Sequence, residues 1–314
     1  MSDSIIGVIL LNMGGPSKLE DVRPFLYNLF SDREIIRLGP PFLQKPIAWY
    51  IAKKRAPKSM ETYRKIGGGS PIAAITEQQR QALQTELASH GRFIVTTAMR
   101  YWQPYTSQAL EPIISAGVQT VIALSLYPHF SCATTGSSLN ELKRHLNGKN
   151  IELKEIPSWP DHPGYLQVLA NKINEGLARF QGDDVELVYS AHSLPVSFIE
   201  GGDPYVRHLE KTIVGVEKLT GKKGRICYQS RSGPVEWLSP STPEMIDAIA
   251  DEKGKNILMV PISFVSDHVE TLYEINIQYR EQAAEKGIRL EATESLNTDP
   301  VFIKSLKELV LDAL

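Results

Sequence analysis

The sequence predicts an α/β protein of two similar domains, each a four-stranded parallel sheet flanked by helices. Three observations carry that expectation. Strand-like and helix-like patterns alternate along the chain, the order of βαβ units. The strand-like runs are continuously apolar and β-branched rather than alternating, as strands covered on both faces require. And 314 residues exceed the roughly 250–300 that a single core organises, so the chain divides.

The first four strands are expected at "IIGVILLN" (5–12), "RFIVTTAM" (92–99), "QTVIALSLY" (119–127) and "IELKEI" (151–156). The second four are "VELVYSA" (185–191), "RICYQS" (225–230), "NILMVPISF" (256–264) and "RLEATES" (289–295). Between them lie helical patterns. "SKLEDVRPFLYNLF" opens with Ser17 and Glu20 in capping-box spacing and runs on through Val22, Phe25, Leu26, Leu29 and Phe30 at i, i+3, i+4 intervals. "TEQQRQALQTELAS", "YLQVLANKINEGLARF", "YVRHLEKTIVGVEKLTG" and "DPVFIKSLKELVLDAL" read likewise, with Gly221 and Gly287 as C-cap candidates. The boundary falls in "IPSWPDHPG" or the helix after it, giving domains 1–160 and 161–314.

Composition narrows the function. Lys and Arg total 34 against 36 for Asp and Glu, a net charge of −2, so no basic excess invites nucleic acid. No stretch is apolar enough to span a bilayer, and the N-terminus lacks a basic signal-peptide region. Cys132 and Cys227 form neither a C-x-x-C pair nor a disulfide framework, which fits a reducing cytoplasm.

In doubly wound folds ligands gather beyond the carboxyl ends of the strands, and a cleft between two such domains is the default site. That rule selects "NMGGP", "RYWQP", "YPHFS", "HSLP", "QSRSGP" and "SFVSDHVE". His192 follows the fifth strand. After the seventh, a helix is expected to open near Asp267, with His268, Glu270 and Glu274 in its first two turns. Glu270 and Glu274 are i, i+4 and share a helix face, where like charges cost a few tenths of a kcal/mol, so the pair needs a cation, a shared proton or open water. Histidine beside carboxylates suits a divalent ion or a proton relay. Arg100, Tyr101, Arg231 and Trp237 suit a flat ligand that carries carboxylates. "NMGGP" is not a dinucleotide fingerprint. The segment 35–58, apolar and aromatic with a basic end, is either a capping excursion or a surface that lies on a membrane.

Taken together, "LLNMGGP", "YRKIGGGSPI", "MRYWQP", "YPHFSCATTGSSLN", "YSAHSLP", "CYQSRSGPVEWLSPST", "VPISFVSDHVETLYEI" and "TESLN" resemble the ferrochelatases along essentially the whole chain. The resemblance implies two Rossmann-like domains around a porphyrin cleft and insertion of ferrous iron into protoporphyrin IX to give protoheme, a lyase reaction. It implies His192 and Glu270 as the metal-site and catalytic pair, with His268 and Glu274 in support. Met13, Arg100, Tyr101 and Trp237 would line the porphyrin pocket, with Tyr63, Ser70 and Ser230 near its polar edges. Residues 35–58 would form a lip over the pocket mouth, membrane-facing in some members.

Some members bind a [2Fe–2S] cluster through cysteines of a C-terminal extension, together with the cysteine that Cys132 matches. The sequence ends at Leu314 with two cysteines, and a cluster needs four ligands, so no cofactor beyond the substrate Fe2+ is expected. "NMGGP" resembles the protoporphyrin branch rather than the coproporphyrin one. The expected location is the cytoplasm, with any membrane association peripheral and at the inner face. Rival readings are a chelatase for another tetrapyrrole or metal, such as coproporphyrin or cobalt, and a heme carrier without catalysis.

Overall fold

The structure is a computed structural model and describes residues 5–252 and 256–314. It contains two compact units, Met1–Trp159 with Phe302–Leu314, and Pro160–Val301.

The first unit is built on β1 (Ile6–Asn12), β2 (Phe93–Met99), β3 (Thr120–Ser125) and β4 (Glu152–Ile156), all parallel in the order β2-β1-β3-β4. The second repeats that order with β5 (Val185–His192), β6 (Gly224–Gln229), β7 (Asn256–Pro261) and β8 (Leu290–Ala292), as β6-β5-β7-β8. All eight expected strands form, with edges shifted by a few residues. β7 stops at Pro261 because the chain turns there, Phe264 N–H bonding back to Pro261 O at 3.3 Å. His192 is the last residue of β5 rather than the first after it.

Both sheets are covered on two faces, which is why their strands read as unbroken apolar runs. In the first unit Ile9, Leu11, Val121 and Ala123 pack against α4 (Thr106–Ser115) and α5 (Ser137–Leu146). In the second, Val188, Ile257 and Met259 pack against α9 (Thr242–Asp251) and the helical stretch that carries Ile275 and Tyr279. On the opposite face α6 (Pro163–Ala178) comes so close that a Cβ on Gly176 would lie 2.7 Å from Leu258 Cδ1.

Four sequence readings change. The closing helix α11 (Pro300–Asp312) belongs to the first unit from Phe302 onward, so the second unit ends before the chain does. Phe302 stacks on Trp159 with centroids 6.0 Å apart, and Lys307 pairs with Glu86 at 2.9 Å. The Ser17–Glu20 capping box does not form. Residues Leu19–Asp21 make a 3-10 turn, and α1 (Val22–Ser31) starts after it without a side-chain cap. The proline-broken segment 35–58 is largely helical, as part of α2 (Gln44–Lys65). Pro46 sits in its first turn, where a missing N–H costs nothing. Finally, α2, α4, α5 and α9 were not read as helices at all, although Ser241 and Glu244 of α9 form a reciprocal capping box of the expected S-x-x-E kind.

Glycine lets the first unit's loops close. Gly69 packs so tightly on the turn after β1 that a Cβ there would overlap the carbonyl oxygen of Ser17. Gly69→Ala should therefore lower stability by about 1–3 kcal/mol, the usual cost of overpacking against backbone that cannot yield. Urea denaturation checks this, and an unchanged midpoint would show that the loop shifts freely.

Candidate active site

Within the second unit, parallel strands deliver their carboxyl ends to one edge, and the chemistry collects there. β5 ends in His192. Its backbone N–H donates to Ser263 Oγ at 3.0 Å and its carbonyl accepts from Tyr205 Oη at 3.0 Å, so the residue is fixed from both sides. β6 ends in Gln229, followed by Ser230 at φ +65°, in the left-handed region that side chains other than Gly, Asn and Asp rarely adopt. Beyond β7 the chain passes Asp267 and His268 as loop, and the helix begins at Val269, near Asp267 as expected, with Thr271 Oγ1 donating back to Asp267 at 3.0 Å. From Glu270 to Tyr279 it is a π-helix, a wide-turned form frequent at functional sites and seldom longer than one turn.

Glu270 Oε2 is the hub. His192 Nδ1 lies 2.8 Å away, Ser230 Oγ 2.8 Å and Gln229 Nε2 3.1 Å. Burial opposes charge on Glu270, but His192 and the hydroxyl and ring donors around it hold the carboxyl well below its ordinary range. An ionised carboxylate only accepts, so Nδ1 must carry the proton of the pair, and in neutral His192 the Nε2 lone pair is left available. Burial also pulls His192 down, yet the Glu270 charge and hydrogen bond outweigh it and raise its pKa.

Glu274 has the opposite fate. Burial and the neighbouring Glu270 charge push it up to about 7. Ser230 Oγ sits 2.6 Å from its Oε2 as well as 2.8 Å from Glu270. One hydroxyl proton cannot serve two carboxylates. Ser230 donates to ionised Glu270, and protonated Glu274 donates to Ser230. The Tyr279 hydroxyl reaches the same Glu274 oxygen at 3.4 Å. The groups therefore stand in series, His192, Glu270, Ser230, Glu274 and Tyr279.

His268 is buried, with Nδ1 3.0 Å from the Ser266 carbonyl and its ring against Phe264 at 4.2 Å between centroids. A carbonyl only accepts, so Nδ1 holds the hydrogen. Burial keeps the ring's pKa low, and Nε2 presents a lone pair without a hydrogen-bond partner, 3.9 Å from Glu270 Oε1. Among the described residues no three His, Cys, Asp or Glu side chains form a cage for a metal ion. Trp237 is laid beside "HSLP" by backbone pairing, Val196 N–H to Glu236 O at 2.9 Å and Leu238 N–H to Leu194 O at 3.0 Å. The buried Trp237 Nε1 has no partner.

The remaining expected residues belong to the first unit. Met13 follows β1, half-buried, with its N–H on Asn12 Oδ1 at 2.8 Å and its carbonyl accepting from Tyr101 N–H at 3.0 Å. Ser70 N–H donates to Pro16 O at 2.7 Å, which brings "GGGSP" onto the same turn. Arg100 and Tyr101 are spent internally. Asp32 Oδ2 accepts from Arg100 Nη2 at 3.0 Å, from the Tyr101 hydroxyl at 2.7 Å and from Ser137 Oγ. Tyr101 and Tyr63 are buried, Tyr63 in the last turns of α2. Asp32 itself escaped the sequence reading, since a lone acid after a helix carries no pattern.

A family model described as Ferrochelatase matches residues 5–314. The chain is 61% identical over 309 residues to "Ferrochelatase" of Desulfotalea psychrophila, covering 98% of this chain and 97% of that protein. It is 54% identical over 308 residues to "Ferrochelatase" of Geotalea uraniireducens, covering 96% of each. Among solved structures it is similar to SirB from Bacillus subtilis with Fe3+, with a TM-score of 0.58, 10% identity and coverage of 98% and 95%. It is also similar to CbiX, described as the terminal enzyme for biosynthesis of siroheme in denitrifying bacteria, with a TM-score of 0.54, 13% identity and coverage of 98% and 99%. At such identities these two likenesses speak for the fold alone.

The raised Glu274 has a consequence for stability. A folded-state pKa of about 7 against an ordinary 4.5 means that the folded chain holds a proton the unfolded chain has released. Its contribution is fully present below pH 4.5 and is lost as the pH rises through 7. Glu274→Gln should thus leave the melting temperature unchanged near pH 4.5 and raise it at pH 8, by a stability increment on the order of 1–3 kcal/mol. Thermal melts at both pH values check the sign.

Proposed function

The chain belongs to the ferrochelatase family and inserts ferrous iron into a porphyrin in heme synthesis, a lyase reaction; from that premise we propose which porphyrin it takes and how its residues divide the work. The substrate is protoporphyrin IX. The turn "NMGGP" supports this through its resemblance to the protoporphyrin branch. Insertion exchanges the two inner N–H protons of the ring for one Fe2+, so the site must accept two protons and deliver one dication.

His192 is the base. What supports this is the 2.8 Å bond between Nδ1 and Glu270, which directs the lone pair of Nε2 outward and stabilises the imidazolium formed when it takes a ring proton. From His192 the proton has an exit through Glu270, Ser230 and Glu274, whose spacings of 2.8 and 2.6 Å suit transfer by exchange of hydrogen-bond donors. Glu274 near its midpoint at neutral pH can release the proton as readily as hold it. One lone pair cannot hold a proton and an iron together, so guidance of the metal falls to Glu270 with His268. The lone pairs of His268 Nε2 and Glu270 Oε1 lie 3.9 Å apart with no donor assigned between them, and two such ligands bind weakly enough to give the ion up. Iron is substrate throughout, and no resident cofactor enters this reading.

Residues 35–58 supply the lip and a peripheral contact with an anionic membrane, with the cytoplasm as the location. Phe42, Leu43, Trp49 and Tyr50 are exposed, with Lys45, Lys53 and Lys54 exposed beside them. No described helix is long and apolar enough to cross a membrane. Liposome flotation with vesicles containing anionic lipid should show weak, salt-sensitive binding that is lost when Phe42 and Trp49 are made polar. Equal flotation of the two proteins would remove the membrane contact.

Anaerobic incubation with ferrous iron and protoporphyrin, followed by absorbance, tests the activity. Many equivalents metallated per chain mark an enzyme, whereas a carrier stops at one, and a panel of metals and porphyrins separates the rival chelatases. His192→Ala should lose 10²–10⁴-fold in turnover while porphyrin still binds. Because Glu270 raises the pKa of His192, the acid limb of kcat/KM should lie above pH 6.5 in the wild type and move to lower pH in Glu270→Gln. A limb that stays in place in that variant would assign the proton transfer to another group.

A further inference from the structure

We propose that Asp267 and Asn297 form a positioning pair that aims Glu270 at His192 and Ser230, a role that rests on the activity assigned above. The two side chains close a ring. Asp267 N–H donates to Asn297 Oδ1 at 2.9 Å, and Asn297 Nδ2 donates back to Asp267 Oδ2 at 2.8 Å. The other carboxylate oxygen, Asp267 Oδ1, accepts from Thr271 Oγ1 at 3.0 Å and Ser295 Oγ at 2.6 Å. Thr271 Oγ1 in turn accepts His268 N–H at 3.1 Å. The five residues from Asp267 to Thr271 are therefore tied at both ends, and His268 and Glu270 lie inside the tie.

The turn is itself largely buried, with Val265, Ser266, His268 and Thr271 all inside. Asp267, Thr271, Ser295 and Asn297 line a polar cavity of about 300 Å³. Beside that cavity, directional hydrogen bonds add to the packing in fixing the turn. Asn297 supports the pair at a cost of its own. It stands at φ +43°, a left-handed conformation, with its N–H on Val265 O at 2.8 Å. Asn and Asp tolerate that region better than other side chains, so an Asn→Asp change there alters the chemistry of the pair without altering the backbone requirement. The pair reaches Glu270 through the turn from Asp267 to Thr271 that carries it.

The test is an exchange of the two side chains. Asn297→Asp sets two carboxylates face to face at hydrogen-bond distance, which must rotate the turn and swing Glu270 off His192. The double variant Asp267→Asn with Asn297→Asp rebuilds the ring in reverse. The introduced amide at 267 donates to the introduced carboxylate at 297, the 267 backbone N–H is still accepted, and the amide oxygen still receives Thr271 and Ser295. In the full chain, Asn297→Asp should lose about 10²-fold in kcat, as an ångström-scale displacement of a catalytic group does, with porphyrin affinity within about twofold of wild type. The double variant should recover to within about fivefold of wild type. Hydrogen–deuterium exchange of the amides at 268–274 should quicken in Asn297→Asp and return in the double variant. Full kcat in Asn297→Asp, equal losses in kcat and porphyrin affinity, or a double variant no better than the single would each overturn the proposal. A wild-type protein that does not metallate porphyrin would instead sink the activity, and the exchange of 268–274 would still decide whether the pair holds the turn.

Discussion

Glu270 keeps its charge in a place where burial opposes it, and the hydrogen bond from His192 Nδ1 is the interaction that makes this possible. Taking a carboxylate out of water costs several kcal/mol, and only an opposite charge with well-placed donors offsets that. Glu270 Oε2 collects three donors, from His192, Ser230 and Gln229. They come from the ends of two neighbouring strands, His192 from β5 and Gln229 and Ser230 from the end of β6, so the pair is possible only where β5 and β6 stop at one edge. The fold of the second unit can be read as the means of meeting this one requirement. Even the disfavoured backbone of Ser230 follows from it, since the left-handed turn is what places a hydroxyl between two carboxylates.

Two acids four residues apart ordinarily repel. Here asymmetry between the two acids resolves the repulsion. The histidine sits beside Glu270 alone, so Glu270 ionises, and its charge together with burial keeps Glu274 protonated to about neutral pH. Environments that push paired titratable groups apart are a means of obtaining a fixed anion and a mobile proton from the same residue type. The helix that carries the two acids brings both carboxylates to one serine.

The first unit uses buried polar side chains differently. Asp32 gathers Arg100, Tyr101 and Ser137, and Gln44 satisfies its amide with Phe30 O, Ile36 O, Leu38 N–H and Arg33. Together they fasten the segment between α1 and α2, whose apolar residues Phe42 and Leu43 stay exposed. Fully satisfied networks of this kind specify one arrangement, because any slip would leave a buried donor or acceptor unpaired. They also explain why Arg100 and Tyr101, read from the sequence as ligand-lining, have their polar groups turned largely to the protein itself.

What the sequence determined by itself was the periodic part. Continuous apolar runs dictated eight strands buried on both faces, their alternation with amphipathic stretches dictated parallel sheets, and parallel sheets dictated that His192 and the segment bearing Glu270 would end at one edge. These are consequences of local pattern and need no knowledge of distant partners. The sequence was silent wherever a residue's role depended on a neighbour far along the chain. Pattern alone could not say which of Glu270 and Glu274 keeps its proton, because that depends on a histidine 78 residues away from the first. It could not see Asn297 turning back to Asp267, Asp32 reaching Ser137, or α11 leaving the second unit for the first. Burial and pairing are properties of three-dimensional proximity, and only tertiary structure decides which of two chemically identical carboxylates keeps its proton.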